Sequence, residues 1–489
     1  LGVLTDLAVC AARHVDLLEE RSDSREDLVR VGARHHPEEV HHLVAGEVGR
    51  EAMSLGEEPD SLAALGVTGG APAYGGFTGP SPSQTQKDLH LKKRDIWIKN
   101  GKIAKIASKI EAESSTKIIQ LENLHVSIGW FDSSVSFGEP GFEDRETIEN
   151  GLLTAAKSGF TQIVLNPNVH PVPDSNSDIV FLKNASKDAA TELYPLGTMT
   201  MKAEGNELAE LYDMKNAGAV GFYDFKSPVD NGNLLKIALQ YTQNFKGLVY
   251  SFPMDKKIAG KGIVNEGEVS TKLGLKGIPS LAEELQIIRD LFILEYAGGR
   301  LHIPTISTSN SVKLIADAKK KGLNVTCSVA IHNLFFTDSC LEEFDSLFKV
   351  LPPLRTEKDT KALMKGLKDG TIDFVTSDHT PLNIEEKRVE FDNAEYGSLG
   401  LESSFGVMNK LFGTETAIEL LSKGREVYDI DTPKLKEGEK ANLTIFNPEK
   451  KFTPAEENLS STSKNSMYLG KSLKGIVYGT INNGKAVLN

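Results

Sequence analysis

Cysteine, tryptophan and long apolar runs are scarce in this 489-residue chain, and positive charge is outweighed by negative. Three cysteines (Cys10, Cys327 and Cys340) cannot build a disulfide framework, and they suit the reducing setting of the cytoplasm. No apolar run reaches the roughly 18 residues of a membrane-spanning helix, so no membrane partner is expected. The first residues lack the basic stretch that opens a secretory signal. A net charge of −13 argues against nucleic acid as the main partner, because a polyanion is repelled on average. What is present, 39% hydrophobic and 25% charged residues, is the composition of a globular protein. Such a chain is expected to act on a small molecule or on another protein.

Composition changes near residue 86. Residues 1–86 hold six arginines and no lysine, whereas residues 87–489 hold 42 lysines and seven arginines. The first segment carries a net charge of −8 and the second −5. Five of the eleven histidines fall in the first segment, His35, His36, His41 and His42 among them. RHHPEEVHHL offers metal-ligating side chains, but no flanking motif makes them a site, so the string reads as a polar cluster. The stretch TGGAPAYGGFTGPSPSQTQ that follows reads as a linker. Residues 1–86 are therefore expected to form a leader of doubtful origin that adds little to the folded body.

Beyond the leader, short β-like segments flank a long alternating region. DIWIKNGKIAKIAS carries a turn at Asn100-Gly101, and KGIVYGTINNGKAVLN carries another at Asn483-Gly484, with ANLTIFNP before it. Residues 87–123 and 435–489 are predicted to make one small β domain together. Between them, strand-like runs at 125–135, 161–168, 194–200, 219–225, 248–254, 300–307, 324–331 and 374–381 alternate with amphipathic segments. That α/β alternation implies a parallel sheet, and eight units close a (β/α)8 TIM barrel over residues 124–434. An open doubly wound sheet is the competitor, but no GxGxxG loop follows the first strand, so a dinucleotide site has no support.

In such a barrel the chemistry belongs at the C-terminal ends of the strands. Those ends carry Ser134 and Ser136, Asn168, Asp224, Phe252, Thr305 and Asp378. Two carboxylates there suit acid–base work or one ion, but a metal generally needs three or four good ligands. Strand alternation turns His302 away from Thr305 and His379 away from Asp378, so both read as satisfied histidines under the helix layer. His170 and His332, at loop starts, are open as pocket residues.

The loop after strand 1, FDSSVSFGEPGFEDRETIENG, resembles the dihydroorotase signature D-x-H-x-H-x-R-E-P-G and the helix that follows it. NPNVHPVPDS is similar to the family's M-P-N-T-x-P-V-x-D, and NEGEVSTKLGLKGIPSLAEE is close to its wording residue for residue. LPPLRTEKD, DGTIDFVTSDHTP, YGSLGLES and EGEKANLTIF continue the resemblance in order, over about residues 90–489. It implies a barrel with a composite β domain. For active members it implies zinc-dependent closure and opening of dihydroorotate in pyrimidine biosynthesis.

The departures gather at the implied metal site. Ser134 and Ser136 stand for its His-x-His, Phe252 and Thr305 for two further histidines, and Asp224 remains from S-D-D-G beside Phe225. Asp378, the family's proton carrier, is retained, as is Asn168 among the substrate anchors. Gly138, Leu382 and Leu351 replace an arginine, a histidine and an asparagine. Hydroxyl and phenyl groups are poor zinc ligands, and without an ion water keeps a pKa near 15.7, which leaves Asp378 idle. No zinc or other cofactor is therefore expected. The expectation is a catalytically silent, homo-oligomeric dihydroorotase-like protein that binds or regulates an active dihydroorotase or an aspartate transcarbamoylase. The alternative is an active zinc-dependent dihydroorotase or related cyclic-amide hydrolase, with one ion held by Asp378, Asp224 and His170 or His332.

Overall fold

Eight staves close into a barrel in the computed structural model, which describes residues 53–54, 65–74, 92–111 and 116–489. The histidine cluster of the leader lies outside the described residues. Stave 1, Trp130–Val135, pairs in parallel with stave 2, Phe160–Leu165, and that with stave 3, Glu192–Pro195. Stave 5, Val249–Tyr250, leads through stave 6, Leu301–Ile303, and stave 7, Val325–Ala330, to stave 8, Phe374–Thr376. Bridges from Phe222 to Gly197 and to Val249 make stave 4, and a bridge from Val135 to His379 shuts the ring. The open-sheet competitor is thereby excluded. Stave 4, predicted over 219–225, contracts to the bridges at Phe222, and Asp224 just after it caps the neighbouring stave instead.

Staves 1 and 2 are buried along their whole length, as strands covered on both faces must be. Outward side chains such as Leu301, Ile303, Val325 and Cys327 share one large apolar cluster with the surrounding helices. Inward side chains form a second cluster with Phe131, Tyr223, Tyr250 and Phe374 at its heart. His302 belongs to this interior rather than under the helix layer. Its ring stacks on Phe374 at 5.2 Å, and its nitrogens meet the hydroxyls of Thr326 and Ser328.

A nine-stranded sheet gathers strands from both ends of the barrel region. His125–Ile128 pairs antiparallel with Leu443–Phe452, which pairs with Leu473–Asn482 and so with Lys485–Leu488. Ile96, Ile98, Ile103, Val126, Leu443 and Ile481 supply its apolar layer. Part of the predicted linker is a strand of this sheet. Leu65–Tyr74 runs antiparallel to Lys92–Lys99, with a register shift between Val67 and Ala71. The Gly69-Gly70 pair therefore marks an irregularity within a strand, where glycine is tolerated, and not a loop.

Candidate active site at the barrel mouth

Asp378 leaves stave 8 with φ 50°, Thr305 leaves stave 6 with φ 47°, and Lys226 follows stave 4 with φ 50°. Left-handed backbone is costly for any residue but glycine, most of all for a β-branched threonine. The mouth holds these conformations even though its side chains depart from the family pattern.

The centre is an ion pair. Lys226 donates from Nζ to Asp378 Oδ2 at 2.8 Å, with the two side chains only 10% and 2% exposed. Ser134 Oγ donates to the other oxygen, Oδ1, at 3.2 Å. Asn166 donates from Nδ2 to the hydroxyls of Ser134 at 3.0 Å and Ser136 at 3.1 Å. The lysine is steadied from its own loop, its backbone N–H donating to Tyr223 Oη and its ammonium lying 5.2 Å from the Phe225 ring centre. Beneath the pair, buried Asp132 accepts from the N–H groups of Ser134 and Ser377 and from the Thr376 hydroxyl, tying stave 1 to stave 8. Burial raises the Asp132 pKa, and these hydrogen bonds oppose that rise.

The other predicted site residues are placed as follows. Asp224 does not extend the centre: it accepts from Met199 N at 2.9 Å, Thr200 N at 3.0 Å and Thr200 Oγ1 at 2.5 Å, so it caps the end of stave 3. Phe252 is buried in the interior apolar cluster. Thr305 Oγ1 and Asn168 Oδ1 are buried without hydrogen-bond partners. His332 is buried with Nε2 unpartnered, and burial pushes its pKa down to about 4, with Asp378 raising and Lys226 lowering it. His170 is exposed, with its ring centre 6.4 Å from that of Phe142. His379 accepts at Nδ1 from the N–H groups of Gly400 and Leu401, at the start of the Leu401–Phe412 helix.

The loops around the mouth are fastened to one another. Arg145 on the stave 1 loop pairs with Glu386 on the stave 8 loop, and Asn383 Nδ2 donates to Asp144 at 2.6 Å. Gly138 has no room for a side chain, since a Cβ there would lie 1.7 Å from the Phe142 carbonyl oxygen. Leu382 and Leu351 are both buried.

This donor set does not fit zinc. Its carboxylate, Asp378, is already neutralised by an ammonium, and hydroxyl, phenyl and amide groups surround it. Among the described residues no three His, Cys, Asp or Glu side chains are placed to hold a metal. The ion proposed for Asp378, Asp224 and His170 or His332 thus finds no such grouping. Sequence reasoning overlooked Lys226, Asn166 and Asp132. The signal for the first was in view: YDFK against S-D-D-G sets a lysine where the pattern has glycine.

Residues 125–311 match a family model described as dihydro-orotase-like. A dihydroorotase of Pelotomaculum thermopropionicum is 38% identical over 405 residues, covering 81% of this chain and 95% of its own. One from Acetivibrio thermocellus is 39% identical over 402 residues, covering 81% and 94%. Among solved structures, the L-hydantoinase (dihydropyrimidinase) of Arthrobacter aurescens superposes with a TM-score of 0.73 at 22% identity, over 87% of this chain and 96% of its own. A dihydropyrimidinase of Brevibacillus agri gives 0.71 at 18% identity, over 88% and 95%.

Proposed function

The chain belongs to the dihydroorotase family, and we propose that it is a catalytically silent member that works by binding rather than by hydrolysis. The observation that carries this is the Lys226–Asp378 pair. A zinc-bound hydroxide needs an open position beside a positive ion and a free carboxylate to take its proton. Here the carboxylate is held by a fixed ammonium and a serine hydroxyl, and the ammonium cannot coordinate water as a Lewis acid does. The substrate side is equally changed, because Gly138 leaves no space for a cationic anchor on the stave 1 loop.

A binding role accounts for a barrel that keeps its strained mouth backbone while its donors are replaced. An active dihydroorotase and an aspartate transcarbamoylase are the proposed partners in pyrimidine biosynthesis. The direct test is dihydroorotate ring opening and closure, assayed on the full chain with and without added zinc. No turnover above the uncatalysed rate is expected in either direction. Zinc-stimulated turnover abolished by Asp378→Asn would overturn the proposal. Mixing with each partner enzyme and sedimenting the mixture tests the binding role, and failure to co-sediment with either removes it.

A further inference from the structure

Away from the mouth, a cavity of 390 Å³ lies where the end of the Ile148–Lys157 helix and the first turns of the Leu401–Phe412 helix meet the strands Leu443–Phe452 and Leu473–Asn482. Two glycines shape its walls. A Cβ at Gly406 would lie 2.8 Å from the Phe452 ring, and one at Gly475, where φ is 97°, 2.6 Å from the Phe405 ring. Helix and strand can therefore close on two aromatic rings that line the cavity. Glu402 lies in the same lining, its carboxylate accepting from Ser460 N at 2.5 Å and Ser461 N at 3.5 Å. Burial raises its pKa, and these N–H groups oppose the rise. The nearby Lys464 spends its ammonium on the carbonyls of Leu459 and Ser461, so no cation pairs with Glu402 among the described residues. Ser158, 5% exposed, also lines the cavity, and its buried hydroxyl has no hydrogen-bond partner. Half-buried Lys157 and exposed Lys450 complete the charges, and neither has a carboxylate partner among the described residues.

We propose that this cavity binds an apolar α-amino acid as its zwitterion. Its ammonium would meet Glu402 and Ser158, its carboxylate Lys157 and Lys450, and its side chain the rings of Phe405 and Phe452. A buried carboxylate without a cation is costly, and a ligand that brings an ammonium removes that cost. The carbonyl end of the Ile148–Lys157 helix, directly before Ser158, adds negative potential at the same place. A plain amine would leave its charge facing two unpaired ammonium groups, and a plain acid would set a second carboxylate beside Glu402. A zwitterion satisfies both sets. A volume of 390 Å³ stands at the small end of ligand sites, which suits a single amino acid. The cavity shares no lining residue with the centre at the mouth, so the inference is independent of the chemistry there.

Calorimetric titration of the full chain with L-phenylalanine tests the proposal. One site per chain is expected, with a Kd below roughly 1 mM. Phenethylamine, which lacks the carboxylate, and 3-phenylpropionate, which lacks the amine, should each bind at least about tenfold more weakly, because each forfeits its charged hydrogen bonds. Glu402→Gln should weaken phenylalanine at least about tenfold while leaving phenylpropionate no weaker than before. Lys157→Met with Lys450→Met should do the reverse, weakening the amino acid and the acid but not the amine. These two lysines are at least half open to water, so that variant should keep the parent's melting temperature even where Glu402→Gln does not fold. No saturable heat with phenylalanine up to roughly 10 mM overturns the proposal. So does an amine or acid that binds as tightly as the amino acid, or binding indifferent to both sets of substitutions, which would place the ligand elsewhere.

Discussion

Two buried cation–carboxylate pairs in this barrel stand in opposite relation to the family's motifs. Arg355 and Glu283 lie in LPPLRTEKD and in the segment from Asn265 to Glu284, where the chain follows the dihydroorotase wording most closely. Arg355 donates to Asn265 Oδ1, the Ile278 carbonyl and Ser307 Oγ, while Glu283 accepts from Ser307 N, Thr308 N and Ser311 Oγ. Every polar arm of this network has a partner in the fold. Lys226 and Asp378 form the second pair, and its lysine stands where the family pattern has glycine. The contrast separates two kinds of resemblance. Arg355 and Glu283, in stretches that follow the family wording, hold loops in place, whereas at the mouth Asp378 is retained but its cation, Lys226, is a departure.

The comparison can be pressed by removing one partner from each pair. Arg355→Met strands Glu283 amid donors arranged for a charged pair, and should cost about 3–5 kcal/mol in chemical denaturation. Lys226→Met should cost less, about 2–3 kcal/mol, because its ammonium sits nearer water and Ser134 still donates to Asp378. Adding Asp378→Asn to Lys226→Met should recover most of that loss, as an amide tolerates the site without a cation. Equal losses for the two pairs, or no recovery in the double variant, would remove the distinction drawn here.

A smaller effect is expected on the stave 1 loop. Gly138→Ala puts a methyl group against the Phe142 carbonyl and should cost about 1–3 kcal/mol by thermal melting. The smallest concerns protons. Burial pushes His302 down to about 3, His332 to about 4 and His379 to about 3, all below the ordinary 6.5. A lowered folded pKa means the unfolded chain binds the proton first. Their stability contribution is therefore complete above about pH 6.5 and is lost progressively as pH falls toward 3–4. His302→Gln should flatten that acid slope by at most about 1.4 kcal/mol per pH unit, measured by denaturation at pH 6.5, 5.5 and 4.5. An unchanged slope would show that His302 does not stay neutral in the fold.

The barrel was legible because its eight strand-like runs are separated by helical periodicity, and each run contains a stave or a bridge, although the first, 125–135, also holds His125–Ile128, which belongs to the nine-stranded sheet. Boundaries shrank where a strand end turns to form the mouth, as at Asp224 and Asp378, whose backbone or side chain leaves the ladder. The stretch from Thr68 to Tyr74 reads as linker because Gly69, Gly70 and Pro72 fall close together in it, and composition cannot report a strand that tolerates them at an irregularity. At the site, the replaced ligand positions could be named one by one from spacing. What spacing could not show is which side chain fills the space left behind. Lys226 lies 152 residues from Asp378, and only the closed ring brings the ammonium to that carboxylate. His302 was placed on the wrong side of its stave for a related reason: alternation separates two faces but does not say which one is the interior.

The central claim is that a lysine holds the charge that a metal supplies in active family members, and zinc content tests it most directly. Elemental analysis should be made on the natural chain, on Ser134→His/Ser136→His/Phe252→His/Thr305→His, and on that set with Lys226→Gly. The account predicts zinc far below one per chain for the first two, and a clear rise when the ammonium is removed. Stoichiometric zinc on the natural chain, or on the four-histidine variant with Lys226 in place, would contradict it.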